Sequence, residues 1–146
     1  MTSLAPWALV TGVVALSGVA WLVAIARSFG RAPSSPLEHA VERTARRVER
    51  AAEKKGDYDC ARGKLQGDPA TAAIAGLGAR GIVLDLGCGR GQLALLLLEA
   101  EVAERVHGVD WDGAKVAFAS RAAEGLRATF ETGDVREAAG GPFDTV

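Results

Sequence analysis

The sequence predicts an α/β fold built on a doubly wound parallel sheet, and three observations carry that prediction. Ile82-Val83-Leu84-Asp85-Leu86 is an apolar run broken by one carboxylate, which reads as a buried strand. Glycines alternate directly after it at 87, 89 and 91, and Gln92 to Ala100 is unbranched and helix-forming, so the unit is strand, tight turn, helix. A second strand, Arg105 to Asp110, follows that helix and ends in an acid. Strands that alternate with helices pair in parallel through right-handed crossovers. No internal repeat, low-complexity tract or heptad array competes with this reading.

Each element of that unit has a physical purpose. A chain that turns sharply out of a strand needs backbone angles that a β-carbon disfavours, and a ligand lying across the turn needs close approach to the main chain. The loop is therefore a surface made of backbone. Asp110 ends the next strand nineteen residues after Gly91, where a carboxylate can accept both hydroxyls of a ribose. Loop and acid together form a nucleoside-binding pair.

Asp85-Leu86-Gly87-Cys88-Gly89-Arg90-Gly91 resembles the first motif of the class I S-adenosylmethionine-dependent methyltransferases, an acid, any residue, then Gly-x-Gly-x-Gly. Dinucleotide-binding dehydrogenases favour Gly-x-Gly-x-x-Gly, which with Gly89 as second glycine would want glycine at the position held by Gln92. The resemblance runs from Gly81 to Val146. It implies a Rossmann-like sheet, incomplete at about four strands, and S-adenosyl-L-methionine as cofactor. By the same resemblance Asp85 orients the loop and the methionine end of the donor, partly through water. Gly87, Gly89 and Gly91 lie under the donor, with Cys88 as the small residue between them. Asp110 binds the ribose, and Trp111 packs on the adenine. In Gly133-Asp134-Val135, after a third strand at Ala128 to Glu131, Asp134 accepts from the adenine amino group and the Val135 amide meets a ring nitrogen. Gly141 to Val146 resembles the beginning of a fourth strand. The family's full sheet has seven strands, with most of the acceptor site beyond the fourth, so the sequence is expected to be part of a longer enzyme. No residue is identified as catalytic base, and no metal-ligand set is present.

Composition narrows the partners. With 17 basic and 18 acidic side chains, no nucleic acid is implied. Two cysteines are too few for a disulfide framework. Cys60 in a polar linker and Cys88 among the glycines both read as reduced, non-catalytic thiols. His107 has no metal-ligand companion, since the other histidine is the distant His39, and reads as structural or surface.

Residues 1–26 carry no charge, and Trp7 to Ala26 is long enough at ~1.5 Å per residue to cross roughly 30 Å of hydrocarbon. Trp7 and Trp21 fall toward the two interfaces, and Arg27 and Arg31 follow the run while nothing basic precedes it. The expectation is a single-pass membrane anchor with its C-terminal side cytoplasmic. Two other readings stand beside it: Ala24-Ile25-Ala26 as a signal-cleavage site, and a buried helix of a soluble domain.

Ser35, Pro36 and Glu38 spell the start of a helix expected to run to Lys55 and to stop at Gly56. Its apolar stripe is narrow and of small residues, which predicts a mostly solvated spacer. Arg43, Arg46, Arg47, Arg50, Lys54 and Lys55 read either as a face for anionic headgroups or as a solvated face with local pairs such as Glu42 with Arg46. Tyr58 to Leu65 reads as a polar connector or lid, with Tyr58, Arg62 and Lys64 as candidates for contact with cofactor or substrate. Asp68-Pro69 opens a short helix over 70–77, and a further crossover helix lies between Asp112 and Gly125, near whose cap stand Asp112 and Gly113.

The expected organisation is thus a transmembrane anchor at 1–26, a basic juxtamembrane segment and charged linker helix at 27–56, a connector at 57–80 and a cofactor-binding half-domain at 81–146. The expected function is methyl transfer from S-adenosyl-L-methionine to a small-molecule or lipid acceptor at a membrane held through residues 7–26. The alternatives are a membrane-anchored nucleoside-binding module without turnover and, against Gln92, an NAD-dependent oxidoreductase.

Overall fold

Three short parallel strands carry the candidate site. A computed structural model describes residues 32–52, 56–76, 78, 81–138 and 141–146. The span expected over 7–26, its flanking Arg27 and Arg31, and Lys54 and Lys55 lie outside them. Among the described residues no helix is long and apolar enough to cross a membrane.

Strand β1 (Ile82–Leu86), helix α4 (Gln92–Glu99), β2 (Arg105–Asp110), α5 (Gly113–Ala122) and β3 (Ala128–Thr132) follow the order expected, with α1 (Pro36–Ala51), α2 (Asp57–Gly67) and α3 (Pro69–Ala75) before them. The sheet order is β1-β2-β3, and both pairings are parallel, with Asp85 opposite Gly108 and Gly108 opposite Phe130. On the other side of β1, Thr145 forms a parallel bridge with Val83, the Leu84 amide donates to the Thr145 carbonyl at 2.9 Å, and the Asp144 amide donates to the Ile82 carbonyl at 2.8 Å. The chain therefore lays its fourth strand beside the first. That makes β1 the place where the winding reverses, and in open α/β sheets ligands bind outside the carboxyl ends of the strands at such a point.

One face of the sheet is closed by helices. Val83 and Val106 pack with Ala94 and Leu97 of α4, and Phe130 lies against them. On the opposite face His107 faces Thr129, its Nδ1 2.8 Å from the hydroxyl oxygen, and stacks on Phe143.

Helix α1 departs from expectation. It starts as read, with Ser35 Oγ accepting from the Glu38 amide at 3.1 Å and the Glu38 carboxylate accepting from the Ser35 amide. It ends at Ala51, not Lys55, and Gly56 precedes α2 with a φ of +101° instead of stopping α1. Nor is it a solvated spacer. Ala40, Val41, Thr44, Ala45 and Val48 are buried, with Ala45 and Val48 joining Leu95 and Phe118 in one core cluster. The reason lies in the stripe itself: small residues let a helix approach its neighbours closely. The basic face is partly used as well, because Glu99 accepts from Arg43 and Arg47 across the α1–α4 contact and Glu42 pairs with Arg46.

The stretch from Tyr58 to Leu65 is helix α2, not a polar connector. Tyr58 donates to Glu42 Oε2 at 2.5 Å, Arg62 is buried with its guanidinium 3.5 Å from the same carboxylate, and Cys60 is exposed on the helix. Tyr58 and Arg62 hold α2 against α1, because a buried guanidinium requires a carboxylate partner. For α3, Asp68 accepts from the Ala70 amide at 2.9 Å as a cap, in agreement with the sequence.

Candidate functional site

The loop after β1 takes its shape from glycine. Gly87, Gly89 and Gly91 have φ of +77°, +54° and +72°, a region that side chains rarely enter. Carbonyl groups of the next strand and of the loop fix the turn: the Gly87 and Cys88 amides donate to the Val109 carbonyl at 2.8 and 3.1 Å, and the Gly91 amide donates to the Cys88 carbonyl at 2.8 Å. The three glycines then divide by role. A β-carbon on Gly87 would meet nothing within 4 Å, and one on Gly89 only the Gly87 carbonyl at that limit, so the main chain there borders open space. One on Gly91 would stand 2.9 Å from the Ala119 β-carbon and 3.1 Å from the Phe130 ring, so this glycine lets α5 and β3 close on the loop.

Two carboxylates stand beneath the loop. Asp85 lies in β1, and its Oδ2 is buried without a hydrogen-bond partner among the described residues. Burial pushes its pKa up, and the neighbouring Asp110 charge adds to the rise. Asp110, only 5% exposed, accepts from the Gly89 amide at 2.8 Å through one oxygen and from the Asp112 amide at 2.9 Å through the other. The acid predicted to meet a ribose is thus at the loop and holds it. Each of its oxygens keeps a further lone pair.

Cys88 is buried among these groups. Burial pushes its thiol up to about 12, with the Asp85 and Asp110 charges acting in the same direction. A thiol so raised stays protonated at neutral pH.

The rim is formed by residues that follow the strands. Trp111, after β2, is 77% exposed, with the Lys115 ammonium 5.6 Å from its ring centre. Asp112 caps α5 by accepting from the Ala114 and Lys115 amides, and these bonds with the Lys115 ammonium hold its carboxyl below the usual range. After β3, the Arg136 guanidinium grips Asp134, and that hydrogen bonding lowers the Asp134 pKa. Val135 beside it is exposed, as are Leu86 at the end of β1 and Leu93 in the first turn of α4. Apart from Val146, the large apolar side chains exposed among the described residues all surround the carboxyl ends of the strands. Among the described residues no group of three or more His, Cys, Asp and Glu is placed to hold a metal.

The structure therefore brings Asp85, Gly87, Cys88, Gly89 and Asp110 together at the end of β1, with Trp111 directly after β2 and Asp134 and Val135 shortly after β3. Two residues escaped the sequence reading. A β-carbon on Gly108 would lie 2.5 Å from the Phe130 ring and 3.0 Å from the Cys88 β-carbon, so this glycine makes room for the layer under the loop. A glycine inside a strand was the available signal. Arg90, at a variable place of the loop motif, pairs with Asp57 of α2 at 3.3 Å. No local pattern foretold that partner, 33 residues away.

No curated protein sequence matches the chain. Among solved structures it is similar to the M. capricolum TrmK in complex with S-adenosyl-homocysteine, at 15% identity over 46% of this chain and 32% of that one, with a TM-score of 0.42. It is likewise similar to the plantazolicin methyltransferase BamL, at 14% identity over 71% of this chain and 44% of that one, with a TM-score of 0.39. For the plantazolicin methyltransferase BpumL in complex with SAH the values are 17%, 72%, 44% and 0.39. The chain thus spans less than half the length of these solved proteins. Residues 83–146, from β1 through the glycine loop to the Thr145 bridge, match a protein-family model described as a methyltransferase domain.

Proposed function

We propose that the chain carries the donor-binding part of an S-adenosylmethionine-dependent methyltransferase, attached to a membrane by residues 7–26 with the domain on the cytoplasmic side. The observation that carries the reading is a glycine loop at the reversal point of the sheet, bordering open space over a buried carboxylate oxygen that lacks a partner among the described residues. The family match over 83–146 supports it.

The residues fit such a donor. Its methionine end and sulfur bear positive charge, which suits a floor holding Asp85 and Asp110. Gly87 and Gly89 would leave the main chain free to approach it, with Cys88 and Gly91 packed beneath. Asp110 would accept from the ribose, the exposed Trp111 would cover the adenine face, and Asp134 with the Val135 amide would meet the adenine edge. When bound, the donor supplies a methyl group already activated by the charge on its sulfur. The chain's own part is to hold, orient and desolvate, and a base is required only if the pKa of the acceptor demands one. The acceptor in this proposal is a small molecule or lipid, and the exposed apolar rim together with the membrane attachment favours the lipid.

Titration of the full chain in detergent with S-adenosylmethionine, S-adenosylhomocysteine and NAD tests the reading. Saturable binding of the first two and none of NAD is expected, and Gly89→Val should abolish it by filling the space above the loop. Binding of NAD alone would replace the proposal with the oxidoreductase. Alkaline carbonate extraction tests the anchor: the full chain should stay with the membrane pellet and a chain lacking residues 1–26 should leave it, whereas release of the full chain would overturn the attachment.

A further inference from the structure

Arg90 ties the glycine loop to the helical layer. Its guanidinium lies 3.3 Å from the Asp57 carboxylate, at the first residue of α2, and 4.5 Å from the centre of the Phe118 ring. Both supports are firm. Phe118 is 6% exposed and belongs to the core cluster that also holds Ala61 of α2 and Val48 of α1. Asp57 is followed by Tyr58, which donates to Glu42 of α1.

The loop needs such a support. From Cys88 to Gly91 the backbone is held at its ends, by the Cys88 amide on the Val109 carbonyl, the Gly91 amide on the Cys88 carbonyl and the Leu95 amide on the Gly91 carbonyl, and in its middle by the Gly89 amide on Asp110. Two of those four residues are glycines with positive φ, which have more alternative conformations than any other residue. Arg90 is the side chain in this stretch that reaches another element through charge. A guanidinium held between a carboxylate and an aromatic face limits the orientations of the peptide units on either side of it.

We infer that Arg90 is a positioning residue, latched to Asp57 and Phe118, which presents the Gly89 backbone to the donor; this rests on the donor reading above. Helix α2 thereby acts on the site through the loop, while Tyr58 and Arg62 of the same helix are turned to Glu42.

The test measures donor affinity by calorimetry and amide hydrogen exchange at Gly89, Arg90 and Gly91 in the full chain without ligand. Arg90→Ala should weaken donor binding by about 3–10-fold and Asp57→Asn by about 2–4-fold, as one exposed ion pair and one cation–π contact allow. Arg90→Lys should recover part of the loss. Exchange at the three amides should rise in Asp57→Asn while the far-ultraviolet circular dichroism stays that of the wild type. The double variant should bind no more weakly than Arg90→Ala alone, because both changes remove one contact. Unchanged affinity and unchanged exchange in both single variants would overturn the latch. An effect of Arg90→Ala with none of Asp57→Asn would remove α2 from it. If the wild type binds no donor, the functional proposal fails, and the exchange measurement still decides whether the latch exists.

Discussion

Asp85 shows how a single side chain can set stability against binding. Burial and the Asp110 charge raise its pKa, so the folded chain holds its proton more tightly than the unfolded chain does. Below the ordinary carboxylate range the group is protonated in both states and makes no difference. As pH rises through the raised value the fold must hold an ionised carboxylate whose Oδ2 has no partner among the described residues, and stability is lost. Asp85→Asn should therefore raise Tm at pH 7, and the gain should vanish below about pH 3, under the ordinary aspartate value. The same variant should bind the donor more weakly. Thermal scans at the two pH values, with and without donor, check both halves.

At the scale of elements, Glu99 carries the charge pairing between α1 and α4. It ends α4 and accepts from both Arg43 and Arg47 of α1. Burial acts to raise its pKa, but the hydrogen bonds and charges of the two guanidinia outweigh it and the pKa is lowered. Its contribution is therefore present above the ordinary glutamate range and lost as pH falls through the lowered value. Glu99→Ala leaves Arg47, whose side chain is 19% exposed, without this partner and should cost about 1–3 kcal/mol at pH 7. Denaturant titrations should show the deficit shrinking in acid, as the wild-type carboxylate is protonated too. A deficit independent of pH would mean that packing, not charge, joins α1 to α4.

For the whole molecule, residues 34–146 form one unit, in which three paired strands and the Thr145 bridge make the sheet. The segment 141–146 shares three backbone hydrogen bonds with β1, and the Asp144 carboxylate accepts from the Ile82 amide at 2.7 Å. Removing it exposes that edge of β1, an unpaired template for association. Deleting residues 141–146 should lower Tm by roughly 4–8 °C for each kcal/mol lost, and light scattering should show earlier aggregation on heating. A truncated chain that melts like the full one would mean that the fourth strand adds nothing at this length.

The sequence by itself determined the elements whose causes are local. Strand β1 with its apolar run, the glycine turn, and β2 from Arg105 to Asp110 stand where their residues put them, and so do the caps at Ser35, Asp68 and Asp112. Each depends on groups a few residues apart. From the same stretch, the family resemblance implied that Asp85, Gly87, Cys88, Gly89, Gly91 and Asp110 meet at the loop, and Asp110 does accept from the Gly89 amide. Only the tertiary structure decided what lies between elements. A narrow stripe of alanine and valine reads as solvated until three helices close on it. Tyr58 and Arg62 read as free polar side chains until Glu42 faces them. Gly91 reads as ligand space until Ala119 and Phe130 fill it, and Arg90 reads as variable until α2 brings Asp57 to it. Propensity and capping act along the chain over one or two turns, whereas burial and charge pairing depend on which surfaces meet, and that is settled only when the whole chain has folded.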